Sequence, residues 1–204
     1  SISLTLTSRS YLSKESDIVI PSEIEYNGKT YIVNAIGNYA FEEHNIKSIV
    51  IPGGITTFGK EIFYYCSDLK KVVFLEGLTE IPDRIFSGCS SLDSINIPES
   101  VTKIGSYSFS YCSKLSNIKL PSGLQEIGAG AFAQSGLQRV DIPDLVTIID
   151  TNAFSHCSRL KEVNIPKSVK KLGTGVFRSC DSLKKINISK DNSYFTFEDG
   201  CLYN

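Results

Sequence analysis

The sequence predicts an α/β solenoid of about seven coils, each 22 or 23 residues long, and three observations carry that prediction. The first is a phenylalanine that recurs at Phe41, Phe63, Phe86, Phe109, Phe132, Phe154 and Phe177, in steps of 22, 23, 23, 23, 22 and 23 residues. So constant a period marks a repeat array, whose units stack because none can bury its apolar face alone. The second is that other apolar columns keep the same register: Ile46, Leu69, Leu92, Leu115, Leu137, Leu160 and Leu183, then Ile49, Val72, Ile95, Ile118, Val140, Val163 and Ile186. The third is composition. With 204 residues, 41% hydrophobic and 21% charged, the chain can fill one sizeable core. No linker or charge block interrupts residues 36–188, so the whole chain reads as one domain.

Residues 1–35 open as a β cap. Ser1 to Arg9 alternates with Ile2, Leu4 and Leu6 on one face, the period of a strand. Asn27-Gly28, set between Ile24-Glu25-Tyr26 and Thr30-Tyr31-Ile32-Val33, is a strong two-residue hairpin signal. An end coil needs such a cover for its apolar face.

Residues 36–188 are the repeats. Each coil is expected to hold a short strand where β-branched residues alternate with polar ones, as in Leu92-x-x-Ile95-x-Ile97. A second extended segment falls at Val101-x-x-Ile104. The stretch around the phenylalanine reads as a helical turn, with a glycine at Gly59, Gly105, Gly128 or Gly173 relieving the backbone at the bend. Residues 189–204 leave the period and form either a C-terminal cap or the start of a next hairpin.

Written out, the unit is L-x-x-I-x-I-P-x-x-V-x-x-I-G-x-x-A-F-x-x-C-S-x. It resembles the BspA-type leucine-rich repeat from about Ile18 onward, with local departures where Leu75 replaces the proline and Pro82 and Asp150 replace the glycine. The resemblance implies an α/β leucine-rich repeat array with short parallel strands. It also implies a microbial cell-surface or secreted protein that binds host extracellular or cell-surface proteins or other cells. The absence of methionine and the start at Ser1 read as a mature or trimmed chain.

Cys66, Cys89, Cys112, Cys157 and Cys180 all stand three residues after the phenylalanine, and Cys201 alone is out of register. Stacked coils sit at about 4.8 Å, inside the Cα window for a disulfide. An in-register ladder nevertheless points its Cβ vectors in parallel, so these cysteines read as buried free thiols. The two repeats with His44 and Ser135 in that column are one residue shorter before the next leucine, so the cysteine tracks turn length, as packing requires.

No catalytic, metal or cofactor motif stands out. His44 beside Cys66 offers two ligands where a structural metal takes four, and His156 precedes Cys157 directly. No phosphate-cradling or nucleophile motif is present, and the carboxylates are dispersed. The sequence therefore reads as non-enzymatic and without a cofactor. A formal net charge of -1 offers no basic field for nucleic acid or an anionic membrane, and no apolar run reaches the roughly 20 residues that span a bilayer.

The informative surface is the strand face, where polar columns vary between constant apolar ones. Its candidate ligand-binding residues are Asn96, Asn117, Lys119, Arg139, Asp141, Glu162, Asn164, Lys185 and Asn187. Both charge signs and several amides suit distributed hydrogen bonds to a protein, or to a glycan. Tyr64, Tyr65 and Tyr111 are candidate aromatic anchors for a partner or a sugar ring, against the alternative that they pack between coils. An architectural spacer within a longer surface protein is the reading from a different class.

Overall fold

The computed structural model describes residues 2–4, 17–198 and 201–203, and over them the chain winds as a solenoid. The opening strands are β1 (Ile2–Leu4), β2 (Asp17–Val19), β3 (Glu23–Tyr26) and β4 (Lys29–Ile36). β3 and β4 form the expected antiparallel hairpin, with Asn27 and Gly28 both left-handed at φ 49° and 69°, as a type I′ turn demands. Of the strand read over residues 1–9, β1 is seen and the rest lies outside the described residues.

The coils then supply β5 (Ser48–Ile51), β6 (Thr57–Phe58), β7 (Lys71–Phe74), β8 (Glu80–Ile81), β9 (Ser94–Asn96) and β10 (Lys103–Ile104). They continue with β11 (Glu126–Ile127), β12 (Arg139–Asp141), β13 (Ile148–Ile149), β14 (Glu162–Ile165), β15 (Lys171–Leu172) and β16 (Lys185–Ile188). A hairpin of β17 (Thr196–Glu198) and β18 (Cys201–Tyr203) follows. Pairing between coils is parallel and one repeat apart, so Val140 faces Val163 and Val163 faces Ile186. The shorter strands form one unbroken ladder, β8-β10-β11-β13-β15. The longer ones form two, β2-β5-β7-β9 and β12-β14-β16, because Ser116 to Leu120 carries no strand.

The core is a column. Phe41, Phe63, Phe86, Phe109, Phe132 and Phe154 are fully buried. Their rings stack from coil to coil at 5.2 to 5.9 Å with interplanar angles of 5° to 20°, ending on Phe177. Aromatic pairs at this spacing add to their area burial. The leucine and valine columns close around them.

The helical turns expected around the phenylalanine are not found; among the described residues there is no helix. The residues two before and two after the phenylalanine are left-handed in coil after coil, for instance Tyr107 (φ 56°) and Tyr111 (φ 60°) or Asn152 (φ 57°) and His156 (φ 57°). A left-handed residue ends a helix. Alternate N–H groups turn outward instead: those of Tyr107, Phe109 and Tyr111 each donate over 2.8 Å to Ala129, Ala131 and Ala133 of the next coil, while Ser110 and Cys112 bond back to Tyr107 and Phe109. The coil thus pairs like a strand while it turns.

The column glycine also has a different reason from the one expected. Gly128 and Gly173 are not left-handed; a Cβ on either would lie 2.8 Å from the Ser106 backbone nitrogen or 2.1 Å from that of Thr151, in the preceding coil. Close backbone approach, not conformational freedom, selects glycine there.

The tail keeps the period further than its residues suggest. Asn192 and Phe195 stand 23 residues after Val169 and Leu172 and are both buried. The Asn192 amide donates to the carbonyls of Pro166 and Val169 and accepts from the N–H groups of Tyr194 and Phe195.

Candidate functional site

The strand face divides into two halves of opposite chemistry. On β2, β5 and β7 its central column is apolar, with Val19 70% exposed and paired to Val50, and Val50 to Val73. On β12, β14 and β16 the same column carries Asp141, Asn164 and Asn187, and the column before it Arg139, Glu162 and Lys185.

These six predicted residues form one network. The Arg139 guanidinium donates to Asp141 at 3.1 to 3.3 Å and lies 3.6 Å from Glu162. Lys185 Nζ is 3.2 Å from Glu162 Oε1, which also accepts from Asn187 at 2.7 Å. Asn187 donates to Asn164 over 2.6 Å, and Asn164 to Asp141. The Arg139 hydrogen bond holds the Asp141 carboxyl below its usual range, with Asn164 adding to it; Asn187 and then Lys185 do the same for Glu162. Both stay ionised at neutral pH.

The other three predicted residues lie apart from the network. The Asn96 amide is engaged by the backbone, donating to the Phe74 carbonyl and accepting from the Phe74 N–H at 3.2 Å each. Asn117 donates to Ser116 Oγ at 3.2 Å. Lys119 pairs with Glu99 at 2.8 Å, and Glu99 also accepts from the Ser122 N–H and hydroxyl. The Glu99 carboxyl is lowered to about 2, first by Lys119 and then by Ser122.

The tyrosines occupy the left-handed turn positions. Tyr65 and Tyr111 are each 47% exposed, and Tyr64 is half-buried with its ring edge-on to Tyr65 at 4.5 Å. Two exposed tyrosines escape the sequence reading as anchors, Tyr39 and Tyr107. Tyr107 lies against Gly130 of the next coil, where a Cβ would fall 2.4 Å from its ring, and Arg84 caps its other side at 4.8 Å. The alternation of tyrosine and glycine down one column is the signal that could have found this packing.

The five in-register cysteines are buried free thiols. Each Sγ–H donates to the carbonyl of the phenylalanine one coil back, from Cys66 to Phe41 at 2.8 Å and from Cys112 to Phe86 at 3.3 Å. Burial pushes the Cys66 thiol up to about 12 and Cys112 higher still, so neither supplies a thiolate at neutral pH. His44 Nδ1 donates to the Glu42 carbonyl at 2.9 Å. Among the described residues no group of three or more His, Cys, Asp or Glu could hold a metal ion, and no helix is long and apolar enough to cross a membrane.

A parallel solenoid whose coils differ mainly in their exposed columns defines a repeat scaffold. Its family follows from the repeat unit itself: a model of the BspA type leucine rich repeat region matches residues 34–161 and 79–204, six copies in all, and the chain belongs to that family. The fold is similar to that of a leucine rich cell surface protein from Faecalibacterium prausnitzii, with 31% identity and a TM-score of 0.82 over 92% of this chain and 51% of that one. A leucine-rich repeat protein from Bacteroides ovatus matches at 32% identity and TM-score 0.65, over 83% of this chain and 39% of that one. The T. pallidum leucine rich repeat protein matches at 26% and 0.60, over 91% and 73%. The chain thus spans about half or less of the first two. No curated protein matches it.

Proposed function

We propose that the chain is a non-enzymatic binding module of a microbial cell-surface or secreted protein, engaging a protein ligand through the polar half of its strand face. The observation that carries this reading is the Arg139, Asp141, Glu162, Asn164, Lys185 and Asn187 network. These side chains point from a rigid parallel ladder and are held in place by one another before any ligand arrives, which reduces the ordering cost of binding. They also offer both charge signs at fixed spacing, the arrangement that gives specificity and steering. The surface location rests on the resemblance to a protein described as a leucine rich cell surface protein.

The test is binding to a panel of immobilised extracellular-matrix proteins, comparing the chain with its R139E/D141K/E162K variant. Loss of capture with an unchanged circular dichroism spectrum supports the strand face; unchanged capture overturns it. Protease shaving of intact source cells, with a cytosolic protein as leakage control, tests the location, and retention until lysis would sink it.

A glycan-recognition reading is favoured by one observation of its own, the exposure of Tyr65 and Tyr111. On that reading Y65A/Y111A lowers retention on a glycan array while the charge reversal leaves it unchanged.

A further inference from the structure

We propose that the C-terminal end of the solenoid is a docking surface for an extended acidic polypeptide of a partner protein, which adds as a further rung. Four observations converge there. The first is a row of unused donors. In the sixth coil the N–H groups of Asn152, Phe154 and His156 donate to Thr174, Val176 and Arg178 at 2.7 to 3.0 Å. Their counterparts in the last coil, Gly175, Phe177 and Ser179, have no acceptor among the described residues. These are alternate residues, and an extended chain presents its carbonyls alternately along one edge, so a single strand can meet all three.

The second observation is the apolar floor behind them. Phe177, Leu172, Leu183 and Ile186 are only partly buried, whereas Phe154, Leu160 and Val163, the counterparts of three of them one coil back, are fully buried. They line a groove of about 640 Å³ with Val176 and Lys184. Residues 189–195 cover the neighbouring Val169 side through Asn192 and leave this groove open.

The third is charge. Nine of the 21 Lys and Arg residues, but three of the 22 Asp and Glu, fall between residues 159 and 191. The near-zero net charge averages over a basic end and an acidic remainder. Lys171, Arg178, Lys184 and Lys185 are all exposed on the last coil, so an occupant carrying acidic residues is complementary and a second copy meeting this end with its own is repelled.

The fourth is the contrast with the other end, where Phe41 is fully buried and offers no matching apolar surface for head-to-tail stacking. A nucleic acid or an anionic membrane shares the charge preference, but neither supplies the row of carbonyls and apolar side chains that this end lacks.

The experiment titrates the full chain with a fluorescein-labelled peptide of alternating valine and glutamate, and with its valine and lysine counterpart. The acidic peptide is expected to bind, to protect the amides of Gly175, Phe177 and Ser179 from exchange, and to weaken about tenfold or more with K171E/R178E/K184E. That variant spares the strand-face network, so failure here leaves the matrix-protein result standing. Equal binding of the basic peptide, or protection confined to other amides, overturns the proposal. So does binding of a poly-dT oligonucleotide or phosphatidylglycerol vesicles with the same lysine dependence while the peptide is ignored. Sedimentation showing that the free chain self-associates with these three amides protected would assign the surface to a second copy and overturn it as well.

Discussion

The two ends of the solenoid are built from the same repeat and finish differently. At the first coil Phe41, Ile46 and Ile49 are buried to within 1%, beneath a cap in which β2 extends the ladder of β5 and β4 that of β6. At the last coil the equivalent Phe177, Leu183 and Ile186 are only partly covered. The difference teaches that the repeat itself does not decide what a side chain contributes; its neighbour on each side does. An interior phenylalanine is stacked on both faces, and an end one is worth as much as its cap supplies.

The largest effect that could break this comparison is truncation of the stack. Phe41→Ala removes a fully buried ring and is expected to cost about 3 to 5 kcal/mol, whereas Phe177→Ala is expected to cost about 1 to 2 kcal/mol because its ring already meets solvent. Urea denaturation followed by circular dichroism measures both. Equal losses would mean that the last coil is covered as well as the first.

Next in size is Gly130→Ala. Gly130 is left-handed at φ 59°, and an added Cβ would meet the Tyr107 ring. The backbone term alone is about 1 to 2 kcal/mol. In a double-mutant cycle with Tyr107→Ala, the steric part of the loss is expected to be relieved and the backbone part to remain. A cycle with no coupling would show that the ring moves aside without cost. Amide exchange gives a parallel reading without mutation: Gly175, Phe177 and Ser179 are expected to exchange well before Asn152, Phe154 and His156, the latter bonded to the next coil. Uniform protection along the stack would contradict an open end.

The sequence made the array, the parallel strands, the β cap and the thiol ladder legible, because each follows from a period or from a local turn signal such as Asn27-Gly28. The helical turns were misread for a physical reason. Spacings such as Ala40-Phe41 to His44 fit one turn of helix as well as a turn with two left-handed residues, and the left-handed positions are filled by Tyr, Glu, Arg and His as well as Gly. Residue type did not announce them; hydrogen bonding to the next coil selects them. The candidate face was legible as columns, but which columns cooperate was not. Arg139 reaches Glu162 while Asn96 turns back to its own neighbour's backbone, and that depends on side-chain reach rather than register.

The smallest expected effect lies where the strand ladder is interrupted. Between β9 and β12 the coil at Ser116 to Leu120 lacks strand pairing, and Glu99 ties it to the preceding coil through Lys119 and Ser122. The folded Glu99 carboxyl titrates at about 2 against an ordinary 4.5. A carboxyl lowered on folding contributes stability that is fully present above its unfolded value and is lost as pH falls through the folded one. The thermal midpoint is therefore expected to drop slightly more between pH 5 and pH 2 in the parent chain than in Glu99→Gln. Because the group is exposed, the difference is also expected to shrink in high salt. A Glu99→Gln profile that falls as steeply as the parent's would assign the acid loss to Asp141 and Glu162 on the polar half of the face, whose carboxyls are lowered in the same direction.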